Sequence, residues 1–181
     1  MECSRPGQQK RHKACASRLG LVLNEVLDVF RKIMVATDGS ETSMLTAKLA
    51  ISLAKLAGGR VYAIYVVDIY RLAQLPGYTT LPGISERLMA LMFKEGEEAT
   101  SEIGEMASHA GVPFEKIVAE GNPGEEILRR SVESGIDLLV MGRIGRTGLE
   151  KIMLGSVAEK VVRHSRVPIL IVPGKRGSKI K

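Results

Sequence analysis

Residues 138–156, LLVMGRIGRTGLEKIMLGS, constrain this chain most, because a short apolar run passes straight into a glycine-spaced loop that ends on a small hydroxyl residue. Gly142 and Gly145 stand three apart, nine residues separate Gly145 from Gly155, and Ser156 follows at once. Glycines after a buried strand permit positive φ and let a ligand approach bare backbone amides. A Gly-Ser step at a helix start aims unpaired N–H groups at an anion. The spacing predicts a phosphate-binding loop, the plainer alternative being a connection whose glycines serve only for turning.

Apolar runs alternate with helical stripes along the rest of the chain. Residues 32–37, KIMVAT, predict a buried strand ending in Asp38-Gly39-Ser40, with Ser40 capping a helix that reaches about Ala57. Leu45, Leu49, Leu53 and Leu56 form its apolar stripe, and Gly58-Gly59 supplies the stop. Residues 61–67, VYAIYVV, predict a second strand closed by Asp68. Two Pro-Gly steps mark residues 69–84 as the longest loop, of the kind that forms lids. Leu88, Met92, Gly96, Ala99, Ile103, Met106 and Ala110 then recur at steps of four and three, predicting an amphipathic helix with a Glu-rich outer face. Residues 114–119 offer a weaker third strand. Asn122 before Pro123 predicts a capped helix to about Ser134, with Glu125 and Glu126 in the first turn where the helix dipole favours them. Residues 136–141 give the fourth strand, 156–165 the last helix and 167–172, VPILIV, the fifth strand. His164 reads as a partner for the C-terminal dipole of its helix, and His109 is assigned no chemistry.

A chain of 181 residues with 45% apolar content fits one domain with appendages. The formal charge of +6 would point to nucleic acid or a membrane only if the basic residues shared a folded surface. Residues 1–32 hold seven Lys/Arg against three acids and residues 173–181 four against none, whereas residues 33–172 hold fifteen against seventeen. Basic tails flank a slightly acidic body, so no specific nucleic acid partner is expected. Cys3 and Cys15 lie in the N-terminal tail, and with His12 they make at best a partial metal set. Residues 1–18 offer little to bury, while Leu19, Val22, Leu23, Val26, Leu27 and Phe30 recur at helical spacing and predict a short docking helix. Asn24, Glu25 and Asp28 break that run before it could serve as a signal peptide, and no segment has the apolar length of a membrane span. A soluble, cytoplasmic protein is expected.

Five strands alternating with helices predict a three-layer α/β/α sandwich on a mostly parallel sheet, because parallel crossovers are right-handed. Ligands settle in such sheets beyond the carboxyl ends of the strands, where the winding reverses. Asp38 after the first strand and Gly142 after the fourth become neighbours if the reversal lies between those strands. Asp38 could then accept a sugar hydroxyl or hold magnesium through water, the plainer alternative being that it only begins the turn.

These residues carry a resemblance. Gly142, Gly145, Gly155 and Ser156 match the signature of the nucleotide-binding branch of the universal stress protein family: Gly, two residues, Gly, nine residues, then Gly with Ser or Thr. KIMVATDGS, the Gly121-Asn122-Pro123 step, DLLVMG and VPILIVP support the match, which covers about residues 31–173 and leaves 1–30 and 174–181 as basic extensions. The resemblance implies a five-stranded parallel sheet of order 3-2-1-4-5, the adenine nucleotide alpha hydrolase-like fold. It also implies binding of ATP, or of ADP or AMP, with Mg2+. Adenine would lie by the backbone of Val66 and Val67, with Thr37 and Asp38 close to the ribose and phosphates. Met141, Gly142, Arg143, Gly145, Arg146, Gly155, Ser156 and Val157 would line the phosphate end. The family often carries a second hydroxyl two residues beyond Ser156, where this chain has Ala158, which leaves the choice among ATP, ADP and AMP open. A homodimer is implied too, and residues 167–172, apolar on both faces at a sheet edge, give a physical reason for one.

The function expected is that of an ATP-binding regulatory or stress-response protein with little catalysis, in which the nucleotide alters the 69–84 loop and so the surface met by a protein partner of unknown identity. The rivals are an ATP-hydrolysing or adenylate-transferring enzyme of the same fold and a dimerising scaffold without nucleotide. No Walker lysine pattern or motif histidine is present to equip an enzyme, and no catalytic residue is assigned.

Overall fold

The computed structural model describes residues 29–75, 78, 83–145 and 154–174. The expected docking helix before Val29, both cysteines, Arg146 and the C-terminal tail lie outside the described residues. The described elements are β1 (Lys32–Ala36), α1 (Glu41–Leu56), β2 (Arg60–Asp68), α2 (Ile69–Ala73), α3 (Ile84–Ala110), β3 (Phe114–Gly121), α4 (Pro123–Glu133), β4 (Leu138–Gly142), α5 (Ser156–His164) and β5 (Ile169–Val172). The strands form one sheet in the order β3-β2-β1-β4-β5, with every pair parallel. The expected strand order and layers are therefore observed.

Alternation along β1 divides the core. Ile33 and Val35 join Ala47, Ala50, Ile51 and Ala54 of α1 with Ile103 and Ala107 of α3 on one face. Met34 joins Ile127 of α4 and Ala158 and Val161 of α5 on the other. A third cluster sets Leu72 of α2 against Tyr65, Val67 and Ala99. Among the described residues no helix is long and apolar enough to cross a membrane.

Two expectations need correction. The leucine stripe of α1 is not its core face: the buried residues are Ser43, Thr46, Ala47, Ala50, Ile51 and Ala54, while Leu49 and Leu56 are 39% and 68% exposed. Small side chains win because they let the helix axis lie close to the sheet, and the two hydroxyls are satisfied locally, Thr46 Oγ1 donating to Thr42 O at 2.8 Å and Ser43 Oγ to Ser40 O at 2.8 Å. The 69–84 segment is not wholly loop, since Asp68 caps the short helix α2 by accepting from the Arg71 N–H at 3.0 Å, and Leu72 anchors that helix in the core.

Boundaries otherwise shift by a residue or two. β4 begins at Leu138, just after Asp137, whose carboxylate accepts from the Arg31 and Lys32 N–H groups at 3.1 and 2.8 Å. β5 begins at Ile169, after Pro168, which has no N–H to give to a ladder.

Candidate functional site

The site is built by the turn after β1. Asp38 Oδ1 accepts from the Ser40 N–H at 3.1 Å, and Ser40 Oγ caps α1 by accepting from Ser43 N–H at 3.2 Å. Thr37 Oγ1 accepts from Gly39 N–H at 3.1 Å and donates to Ser43 Oγ at 3.0 Å. Gly39 takes φ +76°, a conformation a side chain would disfavour. Four consecutive residues, Thr37 to Ser40, and Ser43 are thereby fixed, and the second oxygen of Asp38 is aimed at Gly145. Asp38 does begin the turn, as the plainer alternative has it, and it faces the glycine loop as well.

Across the sheet reversal, β4 delivers Gly142 next to that turn. A Cβ built on Gly142 would lie 3.1 Å from Thr42 Cγ2, and one on Gly145 would lie 2.7 Å from Asp38 Oδ2. The loop closes on itself, with Gly155 N–H donating to Arg143 O at 2.9 Å, and Arg143 N–H is tied to Val172 O at 2.8 Å. None of Gly142, Gly145 and Gly155 adopts positive φ. Their common requirement is space, not turning, which corrects the conformational half of the sequence reading and keeps the close-approach half. Gly155 is the N-cap of α5 and makes no side-chain capping bond. The first amides of α5, from Ser156 to Ala158, border the opening with their usual lack of an intrahelical partner.

A third wall comes from β2. Even-numbered residues of this strand pair with β1 and odd-numbered ones with β3: Arg60 N–H donates to Arg31 O, Ile64 O accepts from Thr37 N–H, and Val61 N–H donates to Pro113 O. The peptide groups of Val66 therefore point to the β1 side, beyond the point where β1 has ended at Ala36. The result is a cleft of about 810 Å³ over the carboxyl ends of β1, β2 and β4.

Thr37, Asp38, Val66, Met141, Gly142, Arg143, Gly145, Gly155, Ser156 and Val157 all line this cleft. Val67 does not: it is fully buried, in the cluster with Tyr65 and Leu72, because one step along the strand reverses its direction. Arg146 lies outside the described residues. Sequence reading missed Ser40, which it read only as a cap, and Ser43, and also Asp68, Arg71, Leu72 and Leu75, as residues that line the cleft. The last four are brought in by α2, and the signal that could have placed them was Asp68 as an N-cap residue.

Comparison with known proteins decides the family. The model of the family described as "Universal stress protein family" matches residues 30–173. The chain belongs to the universal stress protein family. Universal stress protein MJ0531 of Methanocaldococcus jannaschii is 41% identical over 155 residues, spanning 83% of this chain and 89% of that protein. Among solved structures, that of MJ0577 from the same organism superposes with a TM-score of 0.72 at 28% identity, over 81% of this chain and 98% of the other. A universal stress protein from Archaeoglobus fulgidus in complex with dAMP shares the fold, with a TM-score of 0.55 at 22% identity over 79% and 98% of the two chains.

Proposed function

We propose that this universal stress protein binds an adenine nucleotide, ATP or its products ADP and AMP, in the cleft, and acts in regulation with little or no catalysis. The observation that carries this reading is the opposition of Asp38 Oδ2 and the bare backbone of Gly145, beside a helix start with no side-chain cap. A nucleotide suits those walls part by part. The peptide N–H and C=O of Val66 match the donor and acceptor edge of adenine. Asp38 can accept a ribose hydroxyl, as carboxylates do in other sugar-binding crevices. Phosphates meet the amides of Gly145, Gly155, Ser156 and Val157 at the positive end of α5, and Arg143 and Arg146 add charge.

Mg2+ fits as a companion of the phosphates, with Asp38 reaching it through water, since this ion keeps most of its water and takes few protein ligands. The described residues hold no cluster of three or more metal-ligating side chains, which is consistent with a metal carried by the ligand. Ala158 is 3% exposed and packs in the core cluster under α5, so grip on the phosphates rests on backbone amides and Ser156.

Calorimetric titration of ATP, ADP and AMP with magnesium into the native chain and into Gly142→Val tests the reading. Saturable binding that the variant loses is the expected result. A native chain that binds none of the three would sink it.

A further inference from the structure

The leucine ridge of α1 is left partly open by the described elements: Leu49 and Leu56 are exposed, Leu45 is half-buried and Leu53 packs at the edge of the core. Leu45, Leu49, Leu53 and Leu56 fall within one narrow arc of the helix, well away from the small residues that meet the sheet. Thr42 shares that arc and approaches the Cβ positions of Gly142 and Gly174, at 3.1 Å each, so this side of α1 looks toward the ends of β4 and β5. On the same sheet face α3 lies over β2 and β3. Leu170 and Val172 of β5 are left half-buried beside the ridge.

The chain itself supplies an occupant. Phe30 packs on this same core. The Arg31 carbonyl presses on Gly59, just past the end of α1, where a Cβ would lie 2.3 Å from it, and it accepts from Arg60 N–H at 2.7 Å. The N-terminal segment therefore enters β1 close to Leu56. Reading back from Phe30, the apolar residues Leu27, Val26, Leu23, Val22 and Leu19 recur at helical spacing. From Leu27 to Leu19 a helix would extend about 12 Å, enough to run from Leu56 past Leu49 at the same rise per residue. Glu25 borders the stripe of the segment, while the exposed Lys48 and Lys55 border the ridge. Length, point of entry, apolar pattern and charge agree.

We propose that residues 19–27 dock on the α1 ridge of the same chain, covering the shoulder between α1 and β5. The N-terminal extension is then an integral part of the core, and this assignment is independent of what the cleft binds. The test uses the full chain with Cys3→Ser and Cys15→Ser, carrying Leu19→Cys together with Leu49→Cys, and treated with a short bismaleimide. A cross-link within one chain is expected, and it should be absent when Leu19→Cys is combined with Arg163→Cys on the opposite face of the sheet. Cross-linked dimers would identify a second copy as the occupant and overturn the proposal, as would the lack of any link. In the otherwise native chain, Leu56→Glu should raise the initial rate of tryptic cleavage after Arg18, at the edge of the docked segment, about tenfold, because cleavage follows the population of the open segment. An unchanged rate would also overturn the proposal.

Discussion

Asp38 and Gly145 meet across the reversal of the sheet: the Oδ2 oxygen of Asp38 lies 2.7 Å from the position a Cβ on Gly145 would take. One residue follows the first strand and the other the fourth, more than a hundred positions later. A side chain at 145 would have to push the carboxylate from the place where it can meet a ligand. Gly145→Ala should therefore weaken nucleotide binding at least about tenfold, near 1.4 kcal/mol, with little change in the melting temperature, because Gly145 is exposed and carries no core contact. Parallel calorimetry and thermal unfolding separate the two effects, and a variant that binds like the native chain would remove Asp38 from the proposed site.

Gly59 presents the structural counterpart. Its Cβ would lie 2.3 Å from the Arg31 carbonyl oxygen, a backbone atom held by the Arg60 N–H. Backbone cannot step aside as a side-chain tip can, so Gly59→Ala should destabilise the fold by about 3 kcal/mol, at the upper end of overpacking costs. Urea unfolding would show it as a lower midpoint at unchanged slope.

How far this molecule was legible in its sequence follows from what each signal measures. The parallel α/β/α sandwich was readable because alternation of strands and helices leaves few topologies, whereas the order 3-2-1-4-5, and with it the placing of Gly142 near Asp38, came from the family resemblance. The core face of α1 was not, because periodicity finds where leucines recur but not whether alanine lies closer to the sheet. Val67 was grouped with Val66, but a one-residue step on a strand reverses both side chain and peptide and leaves Val67 outside the cleft lining. Leu72 and Arg71 escaped notice because Pro76-Gly77 and Pro82-Gly83 made the whole segment read as loop. The glycine loop was found for a reason only partly right, its residues being selected for clearance and not for positive φ.

The small face of α1 is open to direct test. Ala54 is fully buried against the sheet. Ala54→Leu would enlarge the hydrophobic surface and still destabilise by about 1–3 kcal/mol, because the helix would have to lift from the sheet. A more stable variant, judged by its urea midpoint, would show that the leucine-first reading of this helix had been correct.

Glu126 gives the fold a defined acid response. Its carboxylate is held by Arg129, Nη2 donating to Oε2 at 2.6 Å and Nε to Oε1 at 3.1 Å, and that bidentate contact lowers its pKa below the ordinary glutamate value. A pKa lower in the folded than in the unfolded chain adds stability that is complete above the unfolded value, about 4.3, and is lost as pH falls through the folded one. Glu126→Gln should therefore be less stable than the native chain by about 1 kcal/mol at neutral pH. The difference should shrink toward zero below the lowered pKa. A gap that persisted unchanged into acid would assign the effect to packing instead of charge.

Self-association through the fifth strand is the remaining expectation to be tested, and we propose that it occurs. Among the described strands β5 stands at the sheet edge with β4 as its one neighbour, and all four of its residues, Ile169 to Val172, are half-buried. No Lys or Pro interrupts this stretch, although such residues are the usual protection of an open edge. Pairing with a second copy would satisfy the outer backbone groups of this strand. Sedimentation at micromolar concentration should give a dimer, and Leu170→Lys with Ile171→Lys should shift it to monomer without loss of the far-ultraviolet helix signal. A native chain that sediments as a monomer would overturn this expectation. A dimer that survives the double substitution would move the contact to another surface.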